Sequence, residues 1–258
     1  LQPGTEPPQG GGEDIPQEMS LVEHLIELRS RLLRSVFGVL LAFLALFPFA
    51  QTLYTWLAQP LLARMPAGTS MIATGVTTPF FVPMKVTGLA ALLLALPWVL
   101  YQMWAFVAPG LYAHERRWVG PLVLASTGLF FTGMAFAYYA VMPMVFAFVT
   151  GFAPEGVAVM TDIAAYFDFV LGLFIAFGVT FEVPVLVVVL IAAGIVSPAR
   201  LREGRPYVIV GAFVIGAIFT PPDVISQLMM AIPLWLLFEL GVLVGARFVP
   251  ARDDTSPP

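Results

Sequence analysis

The sequence predicts an all-α integral membrane protein of six transmembrane helices with both termini in the cytoplasm. Three observations lead there. Six apolar runs reach or approach the length of a bilayer span, basic residues are confined to alternate connections, and charge is too sparse for a water-exposed globule. Of 258 residues, 59% are hydrophobic and 11% are charged, where a soluble domain carries roughly a quarter charged residues. Mean hydropathy is +0.91. The formal charge of -4 is uninformative by itself, because much of the acid lies in the flanking tails, and nucleic acid is not an implied partner. The chain has no Cys, which removes disulfides, thiol chemistry and Cys-ligated metal from consideration.

Residues 1–18 are rich in Pro, Gly, Gln and Glu and cannot bury enough apolar surface to offset their ordering entropy. They read as a disordered tail, as do residues 249–258, and a membrane domain occupies 19–248. Ser20-Leu21-Val22-Glu23 has the form of a capping box, so a helix begins there. Leu21, Leu25, Leu28 and Leu32 recur on one face, with Glu23, Glu27, Arg31 and Arg34 on another. Glu27 therefore sits at the water boundary with Arg31 as its i+4 partner, a pair worth about 0.3–0.5 kcal/mol. The apolar run that follows lacks a small-residue cleavage site and reads as a retained span, not a secretory signal.

A hydrocarbon core of about 30 Å needs roughly 20 helical residues. The apolar runs cover residues 32–50, 86–108, 119–149, 164–196, 207–219 and 224–246. The fifth is short, closed by Arg205-Pro206 on one side and Pro221-Pro222 on the other, so it needs shielding by neighbours or a thinned bilayer. Between the first two runs, Leu53, Trp56, Leu57, Leu61 and Met65 mark an amphipathic helix. It either lies on the outer surface or packs over the ends of the spans. There is no internal repeat of the kind that builds inverted-repeat transporters.

Basic residues near span ends stay on the cytoplasmic side. Arg29, Arg31, Arg34, Arg116, Arg117, Arg200, Arg202, Arg205, Arg247 and Arg252 fall on one side, and only Arg64 and Lys85 on the other. The bias alternates with the loops, as an even number of spans requires.

Carboxylates carry the candidate chemistry. Glu115 follows the Pro109-Gly110 turn and stands near the start of the third span, where it suits the positive end of the helix dipole. The string His114-Glu115-Arg116-Arg117 lacks the second His of a zinc-protease motif. Glu27 and Glu115 lie at one membrane depth and suit a cationic partner arriving from the cytoplasm. A guanidinium can give a carboxylate two parallel charge-assisted hydrogen bonds, each worth about 1.5–3 kcal/mol. Fork geometry would then select arginine over lysine.

Glu182 is placed mid-span, where an ionisable group usually marks function. Pro184 withholds the amide that would bond the Thr180 carbonyl, so a kink should coincide with this polar spot. Glu182 is either bonded inside the bundle or presented to an inserted segment. Glu239 snorkels or pairs with Arg247, and Asp223 caps the sixth helix. Gly241 and Gly245 form a G-x-x-x-G pattern, which in a Gly-rich membrane protein is more often coincidence than an interface.

Taken in order, these stretches carry a resemblance. His24-Leu25-Ile26-Glu27-Leu28-Arg29 and Phe106 through Arg117 resemble the two signature segments of the TatC family, the multispanning subunit of the twin-arginine translocase. Met71-Ile72-Ala73-Thr74, Pro79-Phe80-Phe81, Ala153-Pro154-Glu155-Gly156, Phe181-Glu182-Val183-Pro184, Arg205-Pro206-Tyr207 and Thr220-Pro221-Pro222-Asp223 are similar to it in order and spacing.

The resemblance implies a glove-shaped six-helix protein of the bacterial inner membrane that binds twin-arginine signal peptides. It also implies assembly with single-span TatA-like and TatB-like subunits, self-association in a larger complex, and export of folded proteins on the proton-motive force. On this likeness Glu27 and Glu115 receive the arginines, with Arg29 and Phe106 in support. Glu182, Thr220, Gln227 and Asp223 belong to intramembrane polar positions that meet partner helices. Ser30 and Ala113 stand where relatives carry a basic residue, which touches auxiliary charge contacts only.

Two other classes fit less well. A proton-coupled solute transporter would draw on Glu182, but the repeat is missing and only one charge is clearly central. An intramembrane hydrolase would need a G-x-S-x-G elbow, a metal-binding His pair or paired membrane aspartates, and the sequence has none. No catalytic residue, metal or cofactor is expected.

Overall fold

Apolar length becomes helix along most of the chain. The computed structural model describes residues 21–62, 71–107, 119–151, 161–219 and 224–248. The two tails, the 106–117 stretch beyond residue 107, Ser20, Thr220 and Asp223 lie outside the described residues.

The helices are α1 (Leu21–Leu46), α2 (Ala50–Leu62), α3 (Thr78–Val107), α4 (Val119–Phe136), α5 (Met142–Gly151) and α6 (Ile163–Thr180), followed by α7 (Val183–Ala192), α8 (Pro198–Glu203), α9 (Arg205–Phe219) and α10 (Val224–Phe248). Among the described residues, five helical segments are long and apolar enough to cross a membrane: Val22–Gln59, Thr78–Val107, Val119–Phe146, Ile163–Ala192 and Gln227–Arg247. α9 has 15 residues, about 22 Å at the helical rise. It is the short apolar helix the prolines foretold.

The segment Val22–Gln59 is one run of 38 residues, not a span stopping at residue 50. Pro48 sits in a 3-10 turn, Phe47–Phe49, that carries α1 into α2. The missing proline amide disturbs one turn without ending the helical course. The sequence left two placements open for the segment after residue 50, and the one adopted is packing. Leu53, Tyr54 and Leu57 lie against the main core, with the Tyr54 ring 5.1 Å from Phe167, while Trp56 faces outward. α2 thus caps the bundle over α3 and α6. The side chains of Leu61 and Met65 fall outside the description.

α3 is the hub, touching α1, α2, α4 and α6. α1 rests on α3 and leaves the Leu25, Leu28 and Leu32 stripe exposed, a surface for lipid or partner. Its seam is fixed by the Trp98 indole N–H, which donates to the Arg34 carbonyl at 3.1 Å. A Cβ on Gly38 would lie 2.7 Å from the Trp98 ring, so only glycine admits that approach. Between α4 and α5 a π-helical turn spans Ala137–Val141. Pro143 cannot donate to the Tyr139 carbonyl, and a wider turn absorbs the lost bond.

The main core gathers Phe167, Val170, Leu173, Phe174 and Phe177 of α6 against Val82, Val86 and Val141. α7 and α10 form a second seam. There the Gly241 and Gly245 pattern is put to use inside the chain, contrary to the reading of coincidence. A Cβ on Gly241 would meet the Pro184 Cα at 2.8 Å, and one on Gly245 would meet Ile191 Cδ1 at 2.5 Å. Close approach of backbones is what small residues permit in helix packing within membranes. Gly194, at φ 67, ends α7 in the left-handed region that glycine adopts without strain. Ser197 then caps α8, its Oγ accepting from the Arg200 amide at 3.3 Å.

Candidate functional site

One end of the bundle carries Arg29, Arg31 and Arg34 at the start of α1, Arg200, Arg202 and Arg205 around α8, and Arg247 at the end of α10. α3 runs back along α1, so the last turn of α3 meets the first turns of α1 at this basic end. The His24 and Phe106 rings stack there, centroids 4.4 Å apart and planes at 25°. His24, Glu27 and Arg31 share one helical face, spaced three and four residues apart. Phe106 therefore stands beside the turn that presents Glu27. That juxtaposition follows from two sequence stretches 82 residues apart, which helical periodicity could not have joined.

Glu27 is already holding a guanidinium. Arg31 Nε and Nη2 donate to a single oxygen, Oε1, at 2.8 and 2.6 Å. The side chains are 21% exposed for Arg31 and 27% for Glu27, so much of the water is excluded from the pair. Arg29 points to the exposed side of α1. Glu115 lies outside the described residues, and so do Thr220 and Asp223. Gln227, in the first turn of α10, reaches the Phe213 carbonyl of α9 at 3.5 Å and packs near Gly216. It thus bridges the short helix and its neighbour.

Glu182 occupies a break. α6 ends at Thr180 and α7 starts at Val183, with the Glu182 amide donating three residues back to Val179 at 3.1 Å. The kink expected from Pro184 takes this form. Both carboxyl oxygens are buried without a hydrogen-bond partner. The Ser126 hydroxyl, which accepts from Trp104 Nε1 at 2.9 Å, interacts with this carboxyl without closing a bond to it. Of the two readings left open, bonding inside the bundle has the Ser126 hydroxyl as its nearest candidate. A buried polar group with no partner is costly, and among the described residues Gln102 Oε1 and Trp235 Nε1 share that state with Glu182.

Sequence reasoning missed three ties. Glu239 pairs with Arg205, not with Arg247: Nε donates to Oε1 at 2.6 Å and Nη2 to Oε2 at 2.7 Å. The fork engages both oxygens and fastens the start of α9 to α10. At the far end, Lys85 of α3 bonds Asp168 of α6 at 2.5 Å. Asp162 caps α6 through the Ala165 amide and also takes the Thr74 hydroxyl and amide at 2.6 and 3.1 Å. The Thr74 hydroxyl, then the Ala165 and Thr74 amides, hold its carboxyl down at about 2. The N-cap at Asp162, just ahead of an apolar run, was a legible signal. Its partner 88 residues away was not.

No group of His, Cys, Asp and Glu able to hold a metal occurs among the described residues. A profile of the family described as Sec-independent protein translocase protein (TatC) matches residues 23–233. A protein of that description from Azotobacter chroococcum mcd 1 is 59% identical over 245 residues, covering 93% of this chain and 96% of the relative. Another from Escherichia coli (strain K12) is 54% identical over 229 residues, with 89% of each covered. Two crystal structures of a twin arginine translocase receptor, TatC, one of them in DDM, align with TM-scores of 0.74 and 0.76 at 40% identity. The first covers 87% of this chain, the second 86%, and each is matched over 99% of its own length.

Proposed function

The chain belongs to the TatC family of Sec-independent protein translocase proteins, and from that premise we propose that it is the subunit that recognises twin-arginine signal peptides at the cytoplasmic face of the bacterial inner membrane. The observation that carries this reading is Glu27. Its carboxylate is partly withdrawn from water, set beside the Phe106–His24 stack at the basic end, and already engaged by a guanidinium from its own helix. A carboxylate that binds one arginine in this setting has the chemistry to bind another.

Glu115 supplies the second carboxylate in this reading, and Arg29 and Phe106 support the first. Six spans, with α9 as the short fifth, place both termini in the cytoplasm and bring the basic end to the side from which precursors arrive. In this reading Glu182, Gln227, Thr220 and Asp223 are the positions that serve single-span TatA-like and TatB-like subunits or the inserted signal peptide. An ionisable group at a break in the helical course, between α6 and α7, supports that assignment. The subunit performs no bond chemistry of its own. It recognises, self-associates and assembles, and the proton-motive force drives transport of folded cargo.

The test is peptide affinity. Glu27→Gln and Glu115→Gln should each weaken binding of a twin-arginine peptide by about 10- to 100-fold, the loss of one charge-assisted hydrogen bond worth about 1.5–3 kcal/mol. The melting temperature should be nearly unchanged. Unaltered affinity in both variants would end the receptor reading.

A further inference from the structure

We propose that Arg31 is a resident competitor for Glu27, so that signal-peptide arginines bind by displacing an arginine of the receptor's own helix. The proposal rests on the receptor reading above and adds how the site is kept and how its affinity is set.

The geometry of the pair carries it. Arg31 directs both Nε and Nη2 to Oε1, at 2.8 and 2.6 Å, and among the described residues no donor reaches Oε2. This differs from the fork that Arg205 makes with both oxygens of Glu239. Two partners four residues apart on one helix are tethered, and here the tether brings the guanidinium to the near oxygen only. An arginine arriving from outside the helix has no such restraint and can take both oxygens at once. It cannot do so while Arg31 stays, because Oε1 is occupied and two like charges would crowd one carboxylate. Binding is therefore an exchange.

Two consequences follow. Before a peptide arrives, Arg31 pairs with a partly buried carboxylate and holds its rotamer, so the site is kept ordered. The apparent affinity is then lowered by the fraction of Glu27 that is free of Arg31. That factor is common to every ligand that must displace Arg31, so Arg31 sets affinity. The preference for arginine over lysine comes from the fork geometry at Glu27, since an ammonium is a point charge without the planar fork.

The experiment uses the full chain in lipid nanodiscs and fluorescence anisotropy of a labelled Arg-Arg signal peptide and its Lys-Lys counterpart. Arg31→Gln should tighten Arg-Arg binding by about two- to five-fold, the scale of a partly exposed i,i+4 ion pair. It should tighten Lys-Lys binding by the same factor, leaving the preference for arginine unchanged. Arg31→Lys keeps the charge without the fork and should lie between wild type and Arg31→Gln. Arg34→Gln removes an exposed charge with no contact to Glu27 and should leave affinity within twofold. Circular dichroism and melting curves establish that each variant is folded.

Weaker Arg-Arg binding by Arg31→Gln would overturn the proposal, because Arg31 would then be supporting Glu27 or touching the peptide. Equal tightening by Arg34→Gln would also overturn it, in favour of general charge repulsion. An inert Arg31→Gln beside a weakened Glu27→Gln defeats the displacement idea alone. An inert Glu27→Gln defeats the receptor reading and this proposal together.

Discussion

Gly133→Ala should destabilise the protein where Gly172→Ala stabilises it, although both place the same methyl in the interior of an apolar helix. Gly133 lies on α4 where it crosses α6, and a Cβ there would stand 2.5 Å from the Phe177 carbonyl oxygen and 2.9 Å from its carbon. Those are backbone atoms, and the same carbonyl accepts from the Phe181 amide at 2.9 Å to close the end of α6. It cannot retreat without disturbing the break that presents Glu182. Gly172, on α6, has nothing within 4 Å of its would-be Cβ.

Replacing glycine by alanine in a helix interior gains about 0.8–1 kcal/mol in both variants. Overpacking costs about 1–3 kcal/mol in the first alone. The propensity gain cancels in the comparison, leaving a gap of about 1–3 kcal/mol, or roughly 2–12 °C in melting temperature for a protein of this size. The assay is thermal unfolding of the detergent-solubilised chain followed by tryptophan fluorescence. Equal melting temperatures would refute the claim that the α4–α6 crossing is closed around a glycine. Normal transport by a destabilised Gly133→Ala would refute its link to Glu182.

Other predictions follow from the ties between elements. The Asp162 carboxyl is held below its ordinary value, so its contribution is fully present above the unfolded value of about 3.9 and is lost as pH falls through about 2. Wild-type stability should not vary on account of this group between pH 5 and 8, and should drop on acidification toward pH 2. Asp162→Ala should lack that acid step in thermal melts, and an unchanged step would place it elsewhere. Glu239→Gln should release the start of α9 from α10, read as faster hydrogen exchange in residues 205–210 with little change elsewhere, and uniform exchange would show that Arg205 is dispensable. Glu182→Ala should impair transport of a folded twin-arginine cargo more than it lowers the melting temperature. The reverse pattern would make Glu182 a packing residue.

Much of the fold could be read in the chain because its elements answer to local rules. Apolar length set the long helices, and prolines marked the short α9 and the break ahead of Pro184. What escaped was pairing at long range. Helical spacing offered Arg247 to Glu239, eight residues on, whereas the fork came from Arg205, 34 residues back. Gly241 and Gly245 were visible as a pattern, but Pro184 and Ile191 became their partners only through the packing of α10 on α7. At the candidate site, Glu27 and Arg31 were legible together because they lie one helical turn apart. The His24–Phe106 stack was not, since it depends on how α3 returns along α1. The first apolar run was bounded at residue 50, whereas the helical course passes Pro48 through one 3-10 turn and continues into α2.

Site-directed photocrosslinking from the peptide tests the receptor account at its centre. A crosslinker placed next to the paired arginines of a signal peptide should label the first turns of α1 around Glu27 and the last turn of α3 around Phe106. Changing the pair to lysines should abolish most of that label. Equal labelling by both peptides, or labelling of the opposite end of the bundle near Lys85 and Asp168, would contradict it.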